Sequence, residues 1–152
     1  MHNFVSKVNY WLNSVIERMV SMLVSATAKI KKSNRQEILT DNMHESVIIW
    51  TVTYEIRSHD IDGVIDANHL IYQLDEDIRP ELIRGFATFK GRIFDQTGSF
   101  IAQEDGRYQD QHIKINGRII DASEGFNLLV GRYSYDGMVN ESIYEVHFDI
   151  EL

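Results

Sequence analysis

Between Gly85 and Leu152 the chain writes one pattern three times: Phe89-Lys90-Gly91-Arg92-Ile93, Ile115-Asn116-Gly117-Arg118-Ile119 and Leu129-Val130-Gly131-Arg132-Tyr133. Each reads apolar, any residue, glycine, arginine, apolar. Alternate residues of a strand share a face, so the large side chains and the glycine point one way and the arginine the other. The last stretch alternates most regularly: Tyr144, Val146, Phe148, Ile150 and Leu152 interleave with Glu145, His147, Asp149 and Glu151. That is the pattern of antiparallel strands with one dry and one wet face. A chain so patterned folds as a small closed or nearly closed β-barrel, the guanidinium groups outside.

Upstream the alternation continues. Ile48, Trp50, Val52, Tyr54 and Ile56 share a face of a strand from Ser46 to Arg57. A second strand is expected over 64–74 with Leu70, Tyr72 and Leu74 in phase, then a short helical turn over 80–84 started by Asp75-Glu76-Asp77. Further strands are expected over 85–95, 99–103, 107–121 (with a possible break near Asp110), 126–135 and 142–152. The segments Asp95-Gln96-Thr97-Gly98, Glu104-Asp105-Gly106, Ala122 to Gly125 and Asp136-Gly137 read as the turns between them. The expectation is mainly β: seven or eight antiparallel strands over 46–152, closed so that no edge is left sticky. Gly91, Gly117 and Gly131 either bend the barrel at its corners or leave room for large neighbours.

Ahead of the barrel the pattern changes. Residues 3–33 hold neither Gly nor Pro; Val5, Leu12, Met19 and Ala26 recur every seven, as do Ile16, Leu23 and Ile30. This predicts a long amphipathic helix within residues 1–35, roughly 45 Å at ~1.5 Å per residue, with 36–45 as a polar linker. Longer than the barrel, such a helix needs a second apolar surface. Self-association through 3–33 into a homo-oligomer is the favoured use. Plugging one barrel end is the plainest. Binding a membrane surface is the third, resting on the apolar block Met19 to Ala28 followed by Lys29, Lys31, Lys32 and Arg35.

Composition limits the chemistry. The 152 residues include no cysteine, which removes disulfides, thiolate metal sites and thiol nucleophiles. No run of apolar residues is long enough for a membrane helix, and no secretory signal is visible, so a cytoplasmic protein, peripheral to a membrane at most, is expected. The formal charge of −8 is uneven: residues 1–37 carry six basic and two acidic side chains, a net of +4, and the rest nine basic against 21 acidic, a net of −12. A barrel so acidic repels nucleic-acid polymers. The six histidines have no metal-binding spacing and read as surface residues. No nucleophile elbow, phosphate loop or metal motif occurs; no catalytic residue, cofactor or metal is expected. A barrel enzyme built on a buried Tyr or Glu has no spacing in its support.

The apolar-x-Gly strands, the Asp-x-x-Gly turns and the late Gly-x-Tyr strand resemble the small up-and-down barrels of the calycin kind, the lipocalin and avidin-like proteins. Phe89, Gly91, Asp95, Gly98, Gly106, Ile115, Gly117, Gly131 and Tyr133 carry the resemblance, which covers roughly 46–152. It implies the barrel shape. The lipocalin Gly-x-Trp is missing, since Ile48 and Ile49 precede Trp50, so no lipid or biotin ligand is implied. A second resemblance is to the β-barrel cyclic-nucleotide receptors of bacterial antiphage effectors, which join an N-terminal membrane part to such a barrel; the two membrane spans are missing here.

Two functions are expected from these readings. The first is a non-enzymatic binding or assembly module, the helix self-associating and the barrel binding a small ligand or a protein partner. Trp50, Tyr54, Tyr72, Tyr133 and Tyr144 are its candidate lining residues, or else its packed core. The second is a membrane-associated effector whose barrel senses a (cyclic) nucleotide through Arg92, Arg118 and Arg132. Arginine suits phosphate and carboxylate recognition, while cross-strand ion pairing is the plain account of the same residues.

Overall fold

A computed structural model describes residues 21–39, 45–74 and 81–152. They form eight antiparallel strands: β1 (Met22–Leu39), β2 (Glu45–Arg57), β3 (Ile61–Leu74), β4 (Glu81–Ile93), β5 (Gln96–Gln109), β6 (His112–Ala122), β7 (Val130–Met138) and β8 (Ile143–Glu151). Each strand pairs with the next in sequence, and β1 pairs with β8 to close the barrel. The one helical element among the described residues is a short 3-10 turn, Glu124–Phe126, between β6 and β7. Its Phe126 is buried against Phe89, with ring centroids 6.2 Å apart, and packs into that end of the barrel.

The parity expected from Gly85 onward holds. Ile83, Ala87, Phe89, Ile93, Ile113, Ile115, Tyr133, Tyr144, Val146, Phe148 and Ile150 are buried inside, while Lys90, Lys114, Arg118 and Arg132 are exposed. Eight strands enclose a space just wide enough for side chains to fill. Here aromatic rings do much of the filling: Phe89 stacks on Phe100 at 4.9 Å, and Tyr133 contacts Phe100, Tyr135 and Phe148.

Several expectations need correction. The helix expected within 1–35 does not form over its described part, because Met22 onward is β1, hydrogen-bonded to β8 on one side and β2 on the other. Leu23 of the heptad faces solvent, whereas Ala26 of that heptad is buried, so the supposed seam is split between two faces. Val24, Ala26 and Ala28 inside and Leu23, Ser25, Thr27 and Lys29 outside follow a period of two. Sheet pairing on both edges overrides the helical propensity of alanine. Residues 36–39 of the expected linker continue β1 and residue 45 opens β2, while residues 1–20 of the expected helix and 40–44 of the linker lie outside the described residues.

In β3 the inward set is Ile61, Ile65, Ala67, His69 and Ile71, while Leu70 and Tyr72 face out. The expectation that made Tyr72 a lining residue is one residue out of register, which exchanges the two faces of a strand. Finally, Glu104-Asp105-Gly106 is no turn. It lies within β5, and the turn sits at Asp110 and Gln111, both with positive φ. The described part of the expected helical turn over 80–84 likewise belongs to β4.

Candidate functional site

One residue from each strand forms a continuous row across the inner wall: Trp50, His69, Gly85, Glu104, Gly117, Tyr133, Phe148 and Val24. Glu104 stands between two glycines. The space left by the missing side chains lets larger neighbours reach its carboxylate. Tyr133 donates its hydroxyl to Oε2 at 2.5 Å, His69 Nε2 lies 2.6 Å from Oε1, and the Tyr135 hydroxyl reaches Oε1 at 3.4 Å. The side chains of His69 and Glu104 are both wholly buried. A buried carboxylate is tolerated when its oxygens are hydrogen-bonded, and both of these are.

Two polar atoms of this cluster, the Tyr54 hydroxyl and His69 Nδ1, are buried without a hydrogen-bond partner. Burial drives the pKa values of Tyr54, Tyr133 and Tyr135 upward, and the Glu104 charge adds to the rise in each. The Tyr144 pKa is also raised by burial, and its hydroxyl donates to the carbonyl of Met138. The Trp50 indole donates to Ser33 of β1 at 2.8 Å and tilts against His69. Of the five aromatic residues expected to line the barrel, Trp50, Tyr54, Tyr133 and Tyr144 do face inward, and Tyr72 does not. Sequence reasoning missed His69, Glu104 and Tyr135, the polar heart of the interior.

The outer wall carries a different arrangement. Across β6 and β7, Arg118 and Arg132 are direct partners in register. Like charges placed directly opposite are destabilising. Their compensation is slight: Arg118 donates to the neutral Gln103 amide at 3.2 Å, and Arg132 stands 3.8 Å from Asp149. The pair lies in a groove of about 530 Å³ whose other walls include Asn116, Ser134 and His147, with the exposed Leu23 at its edge. Gly117 and Tyr133 also line it, so the groove lies over the wall behind which Tyr133 meets Glu104.

Arg92, the third arginine of the sequence pattern, stands apart. Its guanidinium donates to Asp62 at 3.0 and 2.8 Å and to the carbonyls of Phe94 and His59 at 2.6 and 3.0 Å. Arg92 is therefore a clasp between β3, β4 and the adjoining turns. The three arginines expected to act together are two in a groove and one in a structural brace.

Among the described residues no cluster of His, Asp and Glu has the makings of a metal site, and no helix is long and apolar enough to cross a membrane.

No family model matches the sequence, and no curated protein matches it. The fold is similar to that of a protein of unknown function from the DUF3224 family of Shewanella oneidensis MR-1, with a TM-score of 0.70. The superposition covers 86% of this chain and 97% of that one, at 10% sequence identity. The likeness is one of fold.

Proposed function

We propose that this protein is a non-enzymatic binding module of the up-and-down, calycin-like type, and that it binds a small anionic ligand on its outer wall. The strand order supports the barrel type, since every strand is joined to its sequence neighbour. The observation that carries the binding reading is the facing pair Arg118 and Arg132. A fold gains nothing from two guanidinium groups held opposite one another with so little compensation. A phosphate or carboxylate bound between them turns that repulsion into attraction, and arginine offers the planar fork such groups accept. The groove has the size of small-molecule sites, roughly 300–1,000 Å³. Asn116, Ser134 and His147 supply hydrogen-bonding groups to orient a ligand. The interior cluster around Glu104 serves as core, its carboxylate occupied by Tyr133, Tyr135 and His69.

An amide-resonance titration with inorganic phosphate, against chloride at equal ionic strength, tests this. Shifts concentrated at Arg118, Arg132, Ser134 and His147 are expected. Shifts centred on Arg92, or none beyond those chloride produces, would refute the outer-wall site.

A further inference from the structure

The groove does not end at Arg118. A second groove, of about 510 Å³, adjoins it and shares Asp105 and Asn116 with it. Its basic side chains are Arg84, Arg107 and Lys114. Arg107 and Lys114 are themselves direct cross-strand partners, on β5 and β6. Neither makes an ion pair or a side-chain hydrogen bond among the described residues, although Asp136 stands opposite Lys114 on β7. Two like-charge pairs thus occupy one outer face.

Five of the nine basic residues that follow position 37 line these two grooves, in a part of the chain whose net charge is −12. The acidic side chains lining them are Asp105 and Asp149. Between the pairs runs a cross-strand row, Asp105, Asn116, Ser134, His147 and Ser25, in which hydroxyl, amide and imidazole groups dominate. Lys114 and Arg118 are four residues apart on β6, about 13 Å at ~3.3 Å per residue.

Resting on the anion-binding reading, we infer that the ligand is an elongated dianion. One oxyanionic group, phosphate or carboxylate, sits at Arg118 and Arg132; the other sits at Arg107 and Lys114, with a polar or flexible middle over Asn116. A single anion uses half the face. Two anions joined at the right distance make the second contact intramolecular, which multiplies affinity without new chemistry. A long polyanion is disfavoured by the acidity of the surrounding barrel.

Calorimetric titrations with decanedioate, succinate and decanoate at fixed ionic strength test the spacing, and a linear alkyl bisphosphonate of similar span tests phosphorus oxyanions against carboxylates. Decanedioate or the bisphosphonate is expected to bind at least about tenfold more tightly than succinate or decanoate. Both Arg118→Gln/Arg132→Gln and Arg107→Gln/Lys114→Gln are expected to remove that advantage, while Arg92→Gln leaves it. If all the anions bind alike and only the Arg118/Arg132 variant weakens them, the two-point ligand is wrong and the single site stands. If no anion binds, both readings fall. Circular dichroism of each variant separates lost binding from lost folding.

Discussion

Tyr133 donates to Glu104 across the position of Gly117, at 2.5 Å, inside a wall where the two strands carrying them are not neighbours. The bond ties β7 to β5 over β6. With His69 reaching Glu104 from the other side over Gly85, a single carboxylate links β3, β5 and β7.

Removing that carboxylate therefore orphans three partners at once. Glu104→Ala is expected to cost at least about 1–3 kcal/mol, the range for leaving a buried hydrogen-bond partner unsatisfied. Glu104→Gln keeps the shape and one carbonyl oxygen, and is expected to cost distinctly less. Urea unfolding of the two variants measures the difference; equal and small losses would show that the cluster does not hold the strands together.

The buried tyrosines predict how the fold responds to alkali. In the unfolded chain they ionise near the ordinary value of about 10; in the fold, burial and Glu104 hold Tyr54, Tyr133 and Tyr135 protonated well above it. Below the unfolded value both states are neutral, and their contribution to stability is fully present. Above it the unfolded state releases protons that the fold retains, so stability falls with rising pH, by about 1.4 kcal/mol per pH unit for each such tyrosine. A pH series of urea midpoints should fall steeply above pH ~10, with phenolate absorbance of these three appearing only on unfolding. Phenolate formation by all seven tyrosines while the barrel stays folded would contradict the burial of this cluster.

At Gly117 the reason for glycine is local. A Cβ there would stand 2.2 Å from the tip of the Tyr133 ring. Gly117→Ala should displace that ring from Glu104 and cost about 1–3 kcal/mol, as overpacking does. Adding Tyr133→Leu to Gly117→Ala should then cost less than Tyr133→Leu costs alone, a coupling that a double-mutant cycle reads directly. Strict additivity would place the ring elsewhere.

β1 closes the barrel, and a chain shortened to begin at Ser46 lacks it. Such a chain exposes the edges of β2 and β8, which pair with β1 along most of their length. Open edges recruit other chains. The shortened protein is expected to aggregate or associate, measured by light scattering; a monomeric, cooperatively folding product would mean that β1 is dispensable.

How much of this was legible follows from what alternation can and cannot say. The parity of β6 and β8 was plain because apolar residues occupy nearly every inward position, as from Tyr144 to Ile150. In β3 and β5 it was obscured because His69 and Glu104 occupy inward positions, and polarity there reads as a wet face or a turn. A signal was available: Phe100 and Ala102 put Glu104 inside by parity, and Ile65, Ala67 and Ile71 do the same for His69. β1 was misread for another reason. Its inward residues Val24, Ala26 and Ala28 are small, and Leu23 outside completes a false heptad. The arginines were placed outward correctly, but that Arg118 and Arg132 face one another depends on the register of β6 and β7, which one strand's pattern does not carry.

In the proposed anion site, Arg118 and Arg132 are held against their mutual repulsion for the sake of a ligand. The unfolding free energy of Arg118→Gln, measured with and without phosphate at equal ionic strength, tests this most directly. Without phosphate the variant should be more stable than the parent by about 0.2–1 kcal/mol, the size of a like-charge cross-strand pair; with saturating phosphate the order should reverse, because only the parent gains binding energy. A variant less stable than the parent in both conditions, by the same amount, would make Arg118 a structural residue and contradict the anion site.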